Sequence, residues 1–186
     1  MTVKEIIKLS ATLLGREDIK SYVDGREFAS DSDTKRAVDN MIELLNLVVN
    51  ELCVTYVPMI KTEKVQSING KVEYKNLSER PIKIYQALDF NGEKLSFNAK
   101  PLYLTTSNDV KSVEYSFIPE KYGYEDQIGY TEKDISIRAL AFGLCSEFCI
   151  VEGEFDKAVV WHERYIDAIK EVCFPKNGRC KQRSWY

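Results

Sequence analysis

The chain has 186 residues, 44% of them hydrophobic and 30% charged, and a formal net charge of -3. That length supports one domain with a real core, or one carrying an inserted lobe, and the composition is that of an ordinary globular chain. The slight acidic excess argues against a chain built mainly to coat nucleic acid, and no apolar run reaches the roughly 18 residues of a membrane span.

The opening, MTVKEIIKLS, mixes charged and apolar residues, so it reads as the start of a helix and not as a signal peptide. Synthesis in a cytoplasm is the expectation. TVKEIIKLSATLLG places Val3, Ile6, Ile7, Leu9, Leu13 and Leu14 on one stripe, which Gly15 ends. REDIKSYV continues as a short turn of helix, and SDSD at 30–33 offers a cluster of N-cap residues. The strongest helical pattern in the chain comes next. Val38, Met41, Ile42, Leu45, Val48, Val49 and Leu52 recur at three- and four-residue steps, and the pattern stops before Pro58.

From residue 59 to 118 the period changes to two. IKTEKVQSINGKVEYKNL centres on Asn69-Gly70, and IKIYQALDFNGEKLSF centres on Asn91-Gly92. An Asn-Gly pair between alternating segments predicts a two-residue hairpin, because both turn positions need positive φ. PLYLTT and VKSVEYSFIP predict a further pair, giving about six antiparallel strands. So few short strands close most naturally as a small sandwich or barrel.

After the loop EKYGYEDQIGY, Thr131 and Asp134 form a capping-box-like start. Ile135, Leu140, Leu144, Phe148 and Val151 make an apolar stripe that Gly153 breaks. Phe155, Ala158, Val159, His162, Tyr165, Ile166, Ile169 and Val172 line one face of a last helix ending near Pro175. Two helices joined by so short a break should pack antiparallel.

The expected fold is therefore α+β. An antiparallel helical bundle is built from N- and C-terminal helices (1–58 plus 130–173), with an inserted small antiparallel β-sandwich or barrel at 59–118. A connecting loop covers 119–129, and an extended C-terminal arm covers 174–186.

The residues give little support to catalysis. No GxSxG, Gly-rich phosphate loop or HExxH occurs, and the Gly-Lys of SINGK lies in a hairpin and not between a strand and a helix. The single histidine, His162, has Glu163 and Asp167 near it in sequence, so a general base is one reading. Its place between Val159 and Tyr165 on the apolar face makes a packed, hydrogen-bonded histidine the expected one. Five cysteines, Cys53, Cys145, Cys149, Cys173 and Cys180, follow no disulfide spacing. Cys145 and Cys149 read as small apolar residues on a buried stripe. Asp31 with Asp33 reads as helix capping, and Glu125 with Asp126 as a solvated loop. No metal or other cofactor, and no enzyme activity, is expected.

The arm carries the most distinctive chemistry. KNGRCKQRSWY, 176–186, has four basic residues and no acidic one, and closes on two aromatics. Lys176, Arg179, Lys181 and Arg183 could pair phosphates while Trp185 and Tyr186 stack on bases, which would make the chain a small nucleic-acid-binding accessory protein. The same residues suit a peptide that anchors on another protein, since a Trp-Tyr pair is a large, rigid contact and the basic residues orient docking.

Three stretches together resemble the head-to-tail connector adaptor proteins of tailed bacteriophages, nearest to the podophage-type tail-tubular and adaptor group. They are TVKEIIKLSATLLG, the helical pair from Asp134 to Cys173 with GEFDKA at its turn, and RCKQRSWY. The resemblance implies a structural virion protein at the head–tail interface, made in a bacterial host. It implies a ring of copies, usually twelve, beneath the portal protein. That ring extends the channel through which genomic DNA passes without sequence-specific binding, and offers a surface to the next neck or tail protein. It also implies that Lys176, Arg179, Lys181, Arg183, Trp185 and Tyr186 form the portal-binding arm, and that no membrane is involved.

Overall fold

The computed structural model describes residues 1–25 and 32–173. The fold is α+β, and the described residues form five α-helices and two antiparallel sheets. Helices α1 (Val3–Leu14), α2 (Glu17–Val23) and α3 (Ser32–Glu51) come first. Seven short strands follow, then helices α4 (Ile137–Val151) and α5 (Phe155–Cys173). The chain divides into two compact units. One draws its described residues from Met1, 5–41 and 131–173, the other from 2–4 and 42–130.

In the helical unit, α1 buries Ile6, Ile7, Ser10 and Ala11. Leu9, Leu13 and Leu14, expected on that stripe, are only half-buried. The Ser10 hydroxyl donates to the Ile6 carbonyl (2.9 Å) and lies 3.4 Å from that of Ala141. Gly15 ends the helix at φ +71°, the left-handed conformation that Gly adopts without a Cβ penalty. α4 is apolar nearly all round and is buried from Ala139 to Cys149 with few gaps, which is why its stripe alone did not describe it. It begins later than the sequence suggested. Ser136 caps it by accepting the Ala139 N–H at 3.2 Å, while Thr131 and Asp134 close a separate turn just before it. At the other end Gly153 (φ +77°) turns the chain, and α5 packs on α4 through Ala158, Tyr165 and Ile169. The Ser146 hydroxyl donates to the Ala158 carbonyl (3.1 Å), and Phe142 stacks on Trp161 at 5.7 Å.

In the β-bearing unit, α3 loosens into a π-helical turn, Leu52–Tyr56, before Pro58. One sheet has the order β1-β7-β3-β4, from β1 (Met59–Lys64), β7 (Ser112–Phe117), β3 (Pro81–Leu88) and β4 (Lys94–Leu95). The other has the order β2-β6-β5, from β2 (Lys71–Glu73), β6 (Tyr103–Thr106) and β5 (Phe97–Ala99). Both sheets contribute to one core of Val72, Leu77, Ala87, Leu104, Val110, Val113 and Tyr115.

Two pairings and one turn differ from those read in the sequence, while β3 and β4 do pair as a hairpin around Asn91-Gly92. Asn69 and Gly70 do form a tight turn with positive φ (52° and 71°), but only the Ile68–Lys71 bridge closes it. β1 and β2, on either side, leave for different sheets. At the second Asn-Gly only Gly92 has positive φ, and Asp89 accepts the N–H groups of Asn91 and Glu93, both at 2.8 Å. This aspartate holds a three-residue loop where a two-residue one was expected. Finally, β6 and β7 do not pair with each other, because β7 sits between β1 and β3.

Glu63 ties β1, β7 and the 78 loop together. Its carboxylate accepts from the Tyr115 hydroxyl (2.7 Å), the Ser78 hydroxyl (2.9 Å) and the Ser78 N–H (3.1 Å). Burial alone would raise its pKa, but the hydrogen bonds from Tyr115 and Ser78 outweigh it and hold the carboxyl below its ordinary 4.5. A group with a lowered folded pKa stabilises the fold above its unfolded value, and that stability is lost as pH falls through the folded value. Glu63→Gln should therefore cost about 1–2 kcal/mol at neutral pH. Its urea midpoint should also lose less than that of the parent when pH drops below 4.5. Equal acid sensitivity in the two proteins would show that Glu63 does not carry this linkage.

Candidate functional site

The helical unit carries a cleft of about 530 Å³ between the end of α1 and the α4–α5 turn. Leu13, Leu14, Phe148, Val160 and Trp161 supply its apolar lining. Its rim is charged in both senses, with Glu152, Glu154 and Asp156 facing Arg16, Lys157 and Arg164. Several of these charges are already engaged. Arg16 forms a two-pronged pair with Asp18 (2.7 and 2.9 Å) and lies over the Phe148 ring at 5.6 Å. The hydrogen bond to Asp18 raises the Arg16 pKa, and the same bond lowers that of Asp18. Lys157 bonds Glu154 at 2.8 Å, and Arg164 covers the Trp161 ring at 4.8 Å. The cleft is thus an amphoteric groove with a stacked aromatic wall. It suits a peptide or protein segment better than a small anion.

A second groove, of about 820 Å³, lies in the β-bearing unit near Tyr74, Pro81, Pro101, Leu102 and Tyr103. Lys71 sits 4.5 Å over the Tyr103 ring. Glu73 lies between Lys75 (2.6 Å) and Lys71 (3.0 Å), whose hydrogen bonds hold its carboxyl down at about 2.

The sequence-derived candidates distribute as follows. Lys176, Arg179, Lys181, Arg183, Trp185 and Tyr186, and Asp31 of the first carboxylate pair, lie outside the described residues. His162 is exposed on α5, its ring tilted against Tyr165 at 6.2 Å, so it is not the packed histidine expected. The reason is that α4 covers only half of the apolar face of α5. Cys145 and Cys149 are buried, and burial pushes the Cys145 thiol up to about 12. Asp126 closes a turn by accepting the Gly123 N–H at 2.7 Å, while Glu125 lies 3.8 Å from Lys4. Among the described residues, no group of three or more His, Cys, Asp or Glu is placed to hold a metal ion. Similarly, no described helix is long and apolar enough to cross a membrane.

The surface that sequence reasoning missed is the other half of the α5 face. Phe155 is 66% exposed and Val159 59%, and Val151 before them is 56% exposed. Periodicity counted all three as core. The available signal was width, since an apolar arc from Tyr165 round to Val159 exceeds what one neighbouring helix covers.

Neither a scan against protein-family models nor a search of curated proteins finds a match to the chain.

Proposed function

We propose that this chain is a structural connector adaptor of a tailed-bacteriophage particle. Copies form a ring beneath the portal, extend the DNA channel and present a surface to the next neck or tail component. In this reading the N- and C-terminal helices form an antiparallel bundle and the strands form a small sandwich inserted into it. The portal-facing contact is the 176–186 segment, and it is the single observation that carries the reading: four basic residues leading to Trp185 and Tyr186 directly after a long helix. Eleven residues extend about 35 Å at roughly 3.3 Å each, far enough to reach into a neighbouring protein. Trp and Tyr are the side chains that dominate interfaces. The exposed apolar residues at the α4–α5 turn also suit a protein that works beside other copies.

Deletion of 176–186 should leave a folded protein that no longer joins portal-bearing particles. A truncated protein that assembles normally ends the proposal. The same basic and aromatic residues favour one other reading, a nucleic-acid-binding accessory protein. Titration with plain duplex and single-stranded DNA separates the two. Submicromolar binding that weakens steeply with salt supports the accessory reading, and weak binding supports the adaptor.

A further inference from the structure

We infer that two copies of this chain pair edge to edge through β1, joining their four-stranded sheets about a twofold axis at Thr62. β1 and β4 are the two edges of that sheet. β4 has only two residues, whereas β1 has six in unbroken register with β7, without a bulge or a Pro. Residues of an antiparallel pair alternate between those that bond the neighbouring strand and those that turn both backbone groups away from it. The Val65 N–H donates to the Lys111 carbonyl (3.0 Å), one step past the Lys64–Ser112 pair, and this fixes the alternation. Met59, Lys61 and Glu63 bond β7, while Ile60, Thr62 and Lys64 turn their N–H and C=O groups outward. These three residues are exposed, and among the described residues nothing bonds the six outward groups. Such a row is a template for a further strand.

The occupant is a second β1, because the strand fits its own reverse in one register. With Thr62 opposite Thr62 of the second copy, Ile60 falls opposite Lys64, and every outward group of both copies gains a partner. Lys61 then lies directly opposite Glu63, once on each side of the axis, at positions where side chains approach most closely. On the other face the aliphatic stem of Lys64 covers Ile60, which is 53% exposed. The neighbouring registers fail. Centring on Lys61, Glu63 or Lys64 sets like charges opposite each other, and centring on Ile60 sets Thr62 against Pro58, which has no N–H. Both charged residues have capacity for the new contact. Lys61 donates one bond, to the Ser78 hydroxyl, and Oε1 of Glu63 holds only the longer prong of the Ser78 N–H (3.2 Å). A single strand pair buries less than the roughly 1,200 Å² of the smallest standard interfaces, so the dimer is weak, half-formed near about 100 μM.

Sedimentation of the full chain from about 10 μM to 1 mM should show a monomer–dimer equilibrium. Over the same range, hydrogen exchange at the Ile60, Thr62 and Lys64 amides should slow by about fivefold, while the Lys61 and Glu63 amides are protected throughout. Thr62→Pro removes an outward N–H, which an edge strand tolerates, and should sediment as monomer with an unchanged circular-dichroism spectrum. Thr62→Val keeps that N–H and should dimerise like the parent. A parent that stays monomeric at 1 mM, or a folded T62P protein that still dimerises, overturns the inference. Cross-linking gives an arm that does not depend on the proline variant's fold. In a background with Cys173 and Cys180 changed to Ser, Thr62→Cys should form a disulfide with its own counterpart. Lys64→Cys should not, because it lies about 13 Å from its counterpart in this register. The reverse pattern would mean a different pairing and would also overturn it. This closed pair lies beyond the connector reading, and its loss would leave the deletion test of that reading untouched.

Discussion

Replacing Asn46 with Ala should cost about 2–4 kcal/mol and release the segment around Tyr122 from α3. Asn46 is a polar residue only 6% exposed on the apolar side of that helix. Its amide nitrogen donates to the carbonyls of Ile42 (2.9 Å) and Tyr122 (3.0 Å), and its oxygen accepts the Tyr122 N–H (2.8 Å). One side chain thus satisfies both backbone groups of Tyr122, as a strand partner would. Removing it leaves a half-buried donor and acceptor without their side-chain partner, and that penalty exceeds the net value of the bonds themselves. Tyr122 in turn accepts the Gly129 N–H with its hydroxyl (3.1 Å), so the loosening should spread along 122–129. Urea unfolding gives the energy, and hydrogen exchange at the Tyr122 amide gives the location. A cost below about 1 kcal/mol with Tyr122 still protected would show that the contact is incidental.

Gly70→Ala should be the most damaging single methyl in the β-bearing unit, at about 3 kcal/mol or more. Gly70 has φ +71°, where a Cβ is strained, and an added Cβ would lie 2.4 Å from the Thr106 carbonyl oxygen. That oxygen belongs to backbone, and the backbone there is pinned. The Thr106 N–H and hydroxyl both donate to the Gly70 carbonyl at 2.9 Å, and Asp109 accepts the Gly70 N–H at 3.2 Å. Gly92 is the matched comparison. Its φ is +85°, but an added Cβ would meet nothing within 4 Å, so Gly92→Ala should show the conformational cost alone, about 1–2 kcal/mol. Similar losses for the two substitutions in thermal unfolding would refute the steric account.

Element identity was largely legible in the sequence. The 3.6-residue pattern of Val38, Met41, Leu45, Val48, Val49 and Leu52 is the buried face of α3. Gly15 and Gly153 mark real helix ends, because each adopts a conformation that most residues avoid. Strand pairing was legible only at the Asn91-Gly92 hairpin of β3 and β4. Alternation shows that a segment is a strand but not which strand lies beside it, and here β1 and β2 separate at a turn that resembles a hairpin. The start of α4 was misplaced because Thr131–Asp134 and Ser136 both carry cap chemistry, and only packing chooses between them. Asn46 was invisible for a related reason, since two of its three bonds go to backbone groups 76 residues away. The candidate surface on α5 lay inside a correctly identified stripe. Its division into a covered and an uncovered half depends on how many neighbours the helix has, and one helix's periodicity does not record that.

The tie between α1 and α4 also sets an order of events during synthesis. Ser10 and Ala141 are 131 residues apart, and the Cys145 thiol lies 3.7 Å from the Ser10 carbonyl. At 5–20 residues per second, α1 leaves the ribosome roughly 7–26 s before the helix that buries it has been made. Its Ile6, Ile7 and Ala11 must wait in water or in the grip of a chaperone for that time. The seven strands lie together between residues 59 and 117, and can pair in the interval. The last helices to emerge thus complete a structure whose first helix has waited longest.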